Sequence, residues 1–166
     1  HWPVEEVPFE ETLDAMMELV DDGNVRHIGV SNFTPTQLRK AADYAPIVTN
    51  QVEYHPFLNQ DALLDVVAER DMFLTAYSPL ARGQVLEDDT LREIADDHGK
   101  SPAQISIRWL FQQDDVVAIP KAAGADHRRE NFDIFDFKLS PEEMERIDWL
   151  TADERLINPS FAPNWE

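Results

Sequence analysis

Cysteine is missing altogether from the 166 residues, which removes disulfides, thiolate metal ligands and thiol nucleophiles together. Lysine is scarce, with only Lys40, Lys100, Lys121 and Lys138. No apolar run approaches the roughly 18 residues of a membrane-spanning helix, so no membrane partner is expected. The opening "HWPVEEVPFE" has neither a basic n-region nor an apolar h-region, so no signal peptide is expected. It also has no initiator Met, which makes a longer parent chain the expectation. The five glycines, at 23, 29, 83, 99 and 124, never form G-x-G-x-x-G. His27, His55, His98 and His127 have no metal-ligand spacing with carboxylates, so no metal site is expected.

Acid is what the chain has in excess. There are 33 acidic residues against 14 basic ones, for a net charge of −19. Such a field repels nucleic acid and anionic lipid. The acids are scattered, as in "DDG", "EDD", "ADDH" and "QQDD", instead of gathered in one tail. A solvated, salt-adapted surface accounts for that, and implies a cytoplasm of high salt, where screening shortens self-repulsion. An acidic partner-binding face is the alternative. Apolar residues make up 43%, without low-complexity tracts or Gly/Ser/Pro-rich linkers, so one domain over residues 1–166 is expected.

Periodicity switches repeatedly along the chain. Phe9, Leu13, Met16, Met17 and Val20 recur at helical intervals over 9–20, and Gly23 supplies a stop. Residues 25–30 form a short buried strand. Thr34-Pro35-Thr36-Gln37 then combines a helix cap, a proline suited to the first turn and an amide able to reach back. The same start recurs at Ser101-Pro102-Ala103-Gln104 and Ser140-Pro141-Glu142-Glu143. Further strands are predicted over 47–54, 72–77 and 115–120. Helices are predicted over about 60–70, 88–98, 102–113, 127–135 and 141–150. Alternation of nearly all-apolar strands with helices predicts an α/β fold with a parallel sheet. Two architectures compete, an open doubly wound sheet and part of a (β/α)8 barrel. The missing glycine-rich phosphate turn argues against the first, and four βα units amount to half of the second. Residues 151–166 read as a C-terminal loop.

Polar side chains stand where the strands stop. Ser31 and Asn32 end the first strand; Asn50, Gln51, Glu53 and His55 mark the second. Tyr77 and Ser78 end the third, Pro120 and Lys121 the fourth. Parallel α/β folds gather ligand contacts at these carboxyl ends. The amides of Asn32 and Gln51 can satisfy a carboxamide, Tyr77 offers a flat π face, and Lys121 offers charge for phosphate. Together they outline a nicotinamide nucleotide. Each also has a plain structural reading: Asn32 as a cap, Gln51 bonded to backbone, Tyr77 in the core, Lys121 in solvent. His55, before Pro56, reads as a loop anchor, and Glu53 as a buried partner of an unnamed polar group.

The segments "MMELVDDGNVRHIGVSNF", "TNQVEYHPFLNQ", "AYSPLARG", "KSPAQISIRWLFQQ" and "AIPKA" followed by "RRENFDIFDFKLSPEEMERID" resemble the aldo-keto reductase family, in that family's order. "HWP" resembles the end of the family's fourth barrel strand. The resemblance implies the second half of a (β/α)8 barrel, with barrel units and an auxiliary helix over 1–150. It implies NAD(P)H-dependent reduction of aldehydes or ketones to alcohols. Ser31, Asn32 and Gln51 would then hold the nicotinamide carboxamide and Tyr77 would stack on the ring. Ser78, Leu80 and the loop through Arg82 would line the pyrophosphate. Lys121, Arg128, Glu130 and Asn131 would take the adenosine end. His1 would be the catalytic His that orients the substrate oxygen, and Trp2 a wall of the substrate pocket. The family's catalytic Asp, Tyr and Lys would lie upstream of His1, so the isolated chain is expected to be an inactive C-terminal half. The full-length protein is expected to be a monomer with a small carbonyl substrate.

Departures from the family pattern concern the cofactor. Lys121 is followed by Ala122 where NADPH-preferring relatives carry Ser or Thr, and the sixth position after it holds His127, with Arg128 next. NADPH is the expected cofactor, and NADH is possible. Arg82 replaces a small hydroxyl residue, and either pairs with phosphate or sits in solvent. Two other readings stay open: a non-catalytic nucleotide-binding regulatory subunit of the same fold, and a half barrel that dimerises.

Overall fold

In the computed structural model, residues 1–4, 6–153 and 155–165 are described. The elements alternate as expected: α1 (Phe9–Asp21), β1 (Ile28–Ser31), α2 (Pro35–Tyr44), β2 (Ile47–Glu53), α3 (Asp61–Glu69), β3 (Phe73–Tyr77), a 3₁₀ stretch (Ala81–Leu86), α4 (Asp89–His98), α5 (Pro102–Phe111), β4 (Val116–Ala118), α6 (Ala125–Phe132) and α7 (Pro141–Asp148). The strands lie in the order β1-β2-β3-β4. β1 and β2 are parallel, with Ile28 opposite Ile47, Val30 opposite Asn50 and Ser31 opposite Gln51. The register slips between Ile28 and Val30.

All three Pro-containing helix starts form complete capping boxes. Thr34, Ser101 and Ser140 each accept from the backbone N–H three residues on, and Gln37, Gln104 and Glu143 return the bond. Each box satisfies two of the amide groups that a helix N-terminus leaves unpaired. Gly23 closes α1 at φ 73°, where a side chain would be strained.

The chain forms two compact units. The first comprises His1–Val52, Gln60–Thr75 and Asn158–Glu166. Its core gathers Leu13 of α1, Leu38 and Ala41 of α2, Val52 of β2 and Leu63, Val66 and Val67 of α3. Apolar residues three or four apart on each helix supply this face. The Arg70 guanidinium pairs with Asp43 on its surface.

The second unit comprises Glu53–Asn59 and Ala76–Ile157. Here α5, which packs on α4, buries Ile105, Ile107, Trp109 and Leu110; Leu91 and Ile94 of α4 and Ile147 of α7 are buried as well. The indole N–H of Trp109 donates to Asp148 at 2.8 Å, so the buried ring leaves no polar atom unmet. Ile119 N–H donates to the Ala76 carbonyl at 3.1 Å, which ties the end of β4 beside the end of β3.

Several elements are shorter than the sequence expectation, β4 (expected over 115–120), α5 (102–113) and α7 (141–150) among them, and two elements are displaced. The helix predicted over 127–135 is α6, which starts at Ala125 after Gly124 and ends at Phe132. Beyond it Ile134 and Leu139 turn inward from non-helical chain. The first strand begins at Ile28, because residues 25–27 are exposed and have no buried face to offer. Among the described residues no helix is long and apolar enough to cross a membrane.

Candidate functional site

In the first unit a cavity of about 980 Å³ opens beside the end of β1. His1, Trp2, Ser31, Thr49, Gln51 and Phe161 are among its walls. The pairing of Ser31 with Gln51 follows from the β1–β2 register. The Gln51 carbonyl accepts twice, from Ser31 Oγ at 2.7 Å and from Asn32 N–H at 2.9 Å. These bonds fix the backbone of both strand ends. The Gln51 side-chain carboxamide takes no protein partner among the described residues, and it lines the cavity.

Asn32 sits differently from Ser31 and Gln51. It adopts φ 60°, a left-handed conformation that Asn tolerates better than most residues, and is only 3% exposed. Its Nδ2 donates to the His1 carbonyl at 2.6 Å and to Ser31 Oγ at 3.2 Å. Asn32 therefore ties the N-terminal segment to the end of β1. Behind it, Asn50 and the backbone of Phe33 bond reciprocally, at 2.9 and 3.3 Å. Trp2 stands edge-on to Phe161, with ring centroids 5.9 Å apart, and to Trp165, at 6.2 Å.

The second unit holds the other sequence-predicted residues. Tyr77 ends β3, and its hydroxyl is pushed up to about 12, first by burial and next by the charge of Glu53. The turn after it is conformationally unusual: Ser78, Ala81 and Arg82 have φ of 51°, 46° and 54°. Leu80 precedes the 3₁₀ stretch as its N-cap, and the Arg82 side chain is exposed. Lys121 is exposed, three residues past β4. Arg128 donates to the Ala123 carbonyl at 2.6 Å, which closes the loop before α6. Glu130 is paired with His127 at 3.2 Å, and Asn131 is part-exposed on α6.

Sequence reasoning left the partner of Glu53 unnamed. The structure supplies His55 and two backbone amides of the C-terminal segment. The fully buried carboxylate accepts from Leu156 N–H at 2.9 Å, from Ile157 N–H at 3.0 Å and from His55 Nε2 at 3.1 Å. Phe57 N–H donates to His55 Nδ1 at 3.3 Å, so the ring hydrogen belongs on Nε2, facing Glu53. Burial alone would raise the Glu53 carboxyl, but the His55 and backbone bonds outweigh it and hold the group below its usual range. Arg155 is lowered by burial, against the opposing pull of Glu53, Tyr77 and Asp153. One signal could have pointed to this cluster: a glutamate at the end of a strand, between Val52 and Tyr54, followed two residues later by a histidine.

The chain is similar to glyoxal reductase of Bacillus subtilis, 45% identical over 94% of this chain and 56% of the relative. It is 43% identical to a 9,11-endoperoxide prostaglandin H2 reductase of Trypanosoma cruzi, over 94% of this chain and 56% of that protein. Among solved structures, a putative 2,5-diketo-D-gluconic acid reductase B superimposes with a TM-score of 0.97 at 46% identity. That match covers 100% of this chain and 60% of the other. The chain thus spans about half the length of the curated relatives it matches. Its parallel strands alternating with helices are the repeat from which (β/α)8 barrels are built. The family model described as "Aldo/keto reductase family" matches residues 1–152, and this chain belongs to that family.

Proposed function

We propose that the protein reduces aldehydes or ketones to alcohols with a nicotinamide nucleotide. The observation that carries the reading is the Gln51 carboxamide, which lines a cavity beside Ser31, His1 and Trp2 and takes no partner among the described residues. An amide offers a donor and an acceptor at once, which suits a ligand carboxamide. The residues present thus fit a nicotinamide nucleotide, which supplies hydride when bound.

Each side chain then has a task. Gln51 and Ser31 hold the carboxamide, and Asn32 fixes Ser31 and the His1 carbonyl behind them. His1 orients the substrate oxygen, and Trp2 with Phe161 walls the substrate from water. In the second unit Tyr77 presents a flat ring to a planar group, kept neutral up to strongly alkaline pH. Ser78, Leu80 and Arg82 line phosphate, Lys121 and Arg128 add positive charge, and Glu130 and Asn131 meet the adenine.

Lys121 and Arg128 support NADPH over NADH, since two cations suit an extra phosphate. The excess of acid supports a salt-rich cytoplasm and a monomeric, salt-adapted enzyme. Titration of the protein at its full natural length, in high salt, tests the reading. NADPH should quench tryptophan fluorescence saturably, more tightly than NADH, and a panel of aldehydes should be turned over. Absence of both quenching and turnover would end it.

A further inference from the structure

We infer that Lys100, Gln104, Arg108 and Gln112 are positioning residues for the adenosine end of the cofactor: they form a polar ladder along α5 that holds the chain following α6, and so set where Arg128, Glu130 and Asn131 stand. The inference rests on the nicotinamide-nucleotide reading above. All of these groups lie in the second unit.

The four residues are spaced four apart, which puts Gln104, Arg108 and Gln112 on one face of the helix, with Lys100 just before its start. Each donates to a backbone carbonyl within residues 133–139, a stretch in no helix or strand. Lys100 Nζ and Gln104 Nε2 both donate to the Asp133 carbonyl, at 3.2 and 2.8 Å. Arg108 donates to the Ile134 carbonyl at 3.0 Å, and Gln112 to the Leu139 carbonyl at 3.1 Å. Gln112 Oε1 in turn accepts from Leu139 N–H and from Arg108 Nε, each at 2.7 Å. Lys100 also pairs with the carboxylates of Asp133 and Asp136, at 2.9 and 2.8 Å. Side chains thus do for this stretch what a neighbouring strand does in a sheet: they satisfy its backbone and fix its course.

Such an anchor matters to α6. Among the described residues α6 buries no side chain, so apolar packing contributes little to its placement. Its ion pairs, His127 with Glu130 and Arg129 with Asp126, are exposed and internal to the helix. Phe132 meets Phe135 edge-on, and Phe135 meets Phe111, but Phe132 is 76% exposed. The bonds at the two ends of α6 carry correspondingly more. Before it, the Arg128 guanidinium holds the Ala123 carbonyl. After it, Asp133 donates its N–H to the Arg129 and Glu130 carbonyls, and its own carbonyl is the one that Lys100 and Gln104 share. The ladder therefore fixes the residue that closes α6, and Asn131 and Glu130 stand within one turn of it. Without the ladder the end of α6 regains backbone freedom, and the side chains assigned to the adenosine end lose their common placement.

The test uses the protein at its full natural length. Gln104→Glu keeps the capping box, since Glu143 serves the Ser140 box at the same place, and sets a carboxylate oxygen against the Asp133 carbonyl. Lys100→Met keeps the apolar stem and removes the cation. Both make the net charge more negative by one, so Lys40→Met, at an exposed position of α2 in the first unit, is the charge control. In the two ladder variants the backbone amides of the last turn of α6 should exchange about tenfold faster or more. Kd for adenosine 2′,5′-bisphosphate and KM for NADPH should rise by about fivefold or more, with kcat at saturating NADPH within about twofold of the parent. Lys40→Met should leave exchange, Kd, KM and kcat within about twofold. Unchanged exchange in the ladder variants overturns the anchor. Faster exchange with both affinities unchanged, an equal loss in kcat, or an equal loss of affinity in Lys40→Met overturns the positioning role. A parent that binds neither nucleotide brings down the reading above and this role with it; a parent that binds both while the ladder variants match it brings down this role alone.

Discussion

Gly29 gives the sharpest test of the packing beside the cavity. It lies in β1 at the point where the register with β2 slips. A methyl built there would stand 2.5 Å from Thr49 Cγ2 and 3.0 Å from the Thr49 carbonyl oxygen. The first contact is relieved only if Thr49 rotates. Its Oγ1 shares a 2.9 Å hydrogen bond with Thr75 Oγ1, so rotation sacrifices about 0.5–1.5 kcal/mol. The second contact is with backbone and is relieved only by moving β1 away from β2. Overpacking of this sort costs about 1–3 kcal/mol. For a protein of this size each kcal/mol lowers Tm by roughly 2–4 °C. Gly29→Ala should therefore melt about 2–12 °C lower, followed by far-UV circular dichroism. Thr49→Ser removes Cγ2 and keeps the hydroxyl, so the double variant should recover part of the loss, with a coupling of about 0.5–1.5 kcal/mol. A Gly29→Ala melt within about 1 °C of the parent, or strictly additive variants, would refute the reasoning.

Two further outcomes are expected. Because the folded Tyr77 hydroxyl is raised above its usual 10.0 to about 12, its stabilising contribution is complete below 10 and is lost as pH rises through about 12. Absorbance at 295 nm should show a late phenolic step that disappears in Tyr77→Phe, while NADPH affinity stays within about twofold because the ring remains; an unaltered titration in the variant would contradict the burial argument. Separately, at a net charge of −19, added KCl should raise Tm by at least several degrees between about 0.1 and 2 M, as the Debye length shrinks from roughly 10 Å to below 3 Å. A Tm that falls with salt would mean that exposed ion pairs outweigh self-repulsion.

Much of this architecture is legible in the sequence because its causes are local. A capping box needs only residues i and i+3, and Thr34–Gln37, Ser101–Gln104 and Ser140–Glu143 each carry both halves. The βα alternation shows in the change from short, nearly continuous apolar runs to apolar residues three or four apart. Ser31 ends β1 and Gln51 lies near the end of β2, strands that a parallel sheet sets side by side. Other features lack a local cause. Asn32 reads as a cap or a ligand contact, but its amide is claimed by a carbonyl 31 residues away. The start of α6 escapes a sequence reading because its helix has no buried face to leave a period in the sequence.

The order of apolar and polar residues determined that this chain makes parallel strands and capped helices, and which side chains stand at the strand ends. Those choices depend on interactions within a few residues, where the chain has no alternative geometry to weigh. Tertiary structure alone decided which distant groups meet. Glu53 finds amides 103 and 104 residues further on, and Trp2 finds Phe161 and Trp165. A buried carboxylate must take whatever donors the fold delivers to it, and nothing in its own neighbourhood of sequence says which they will be.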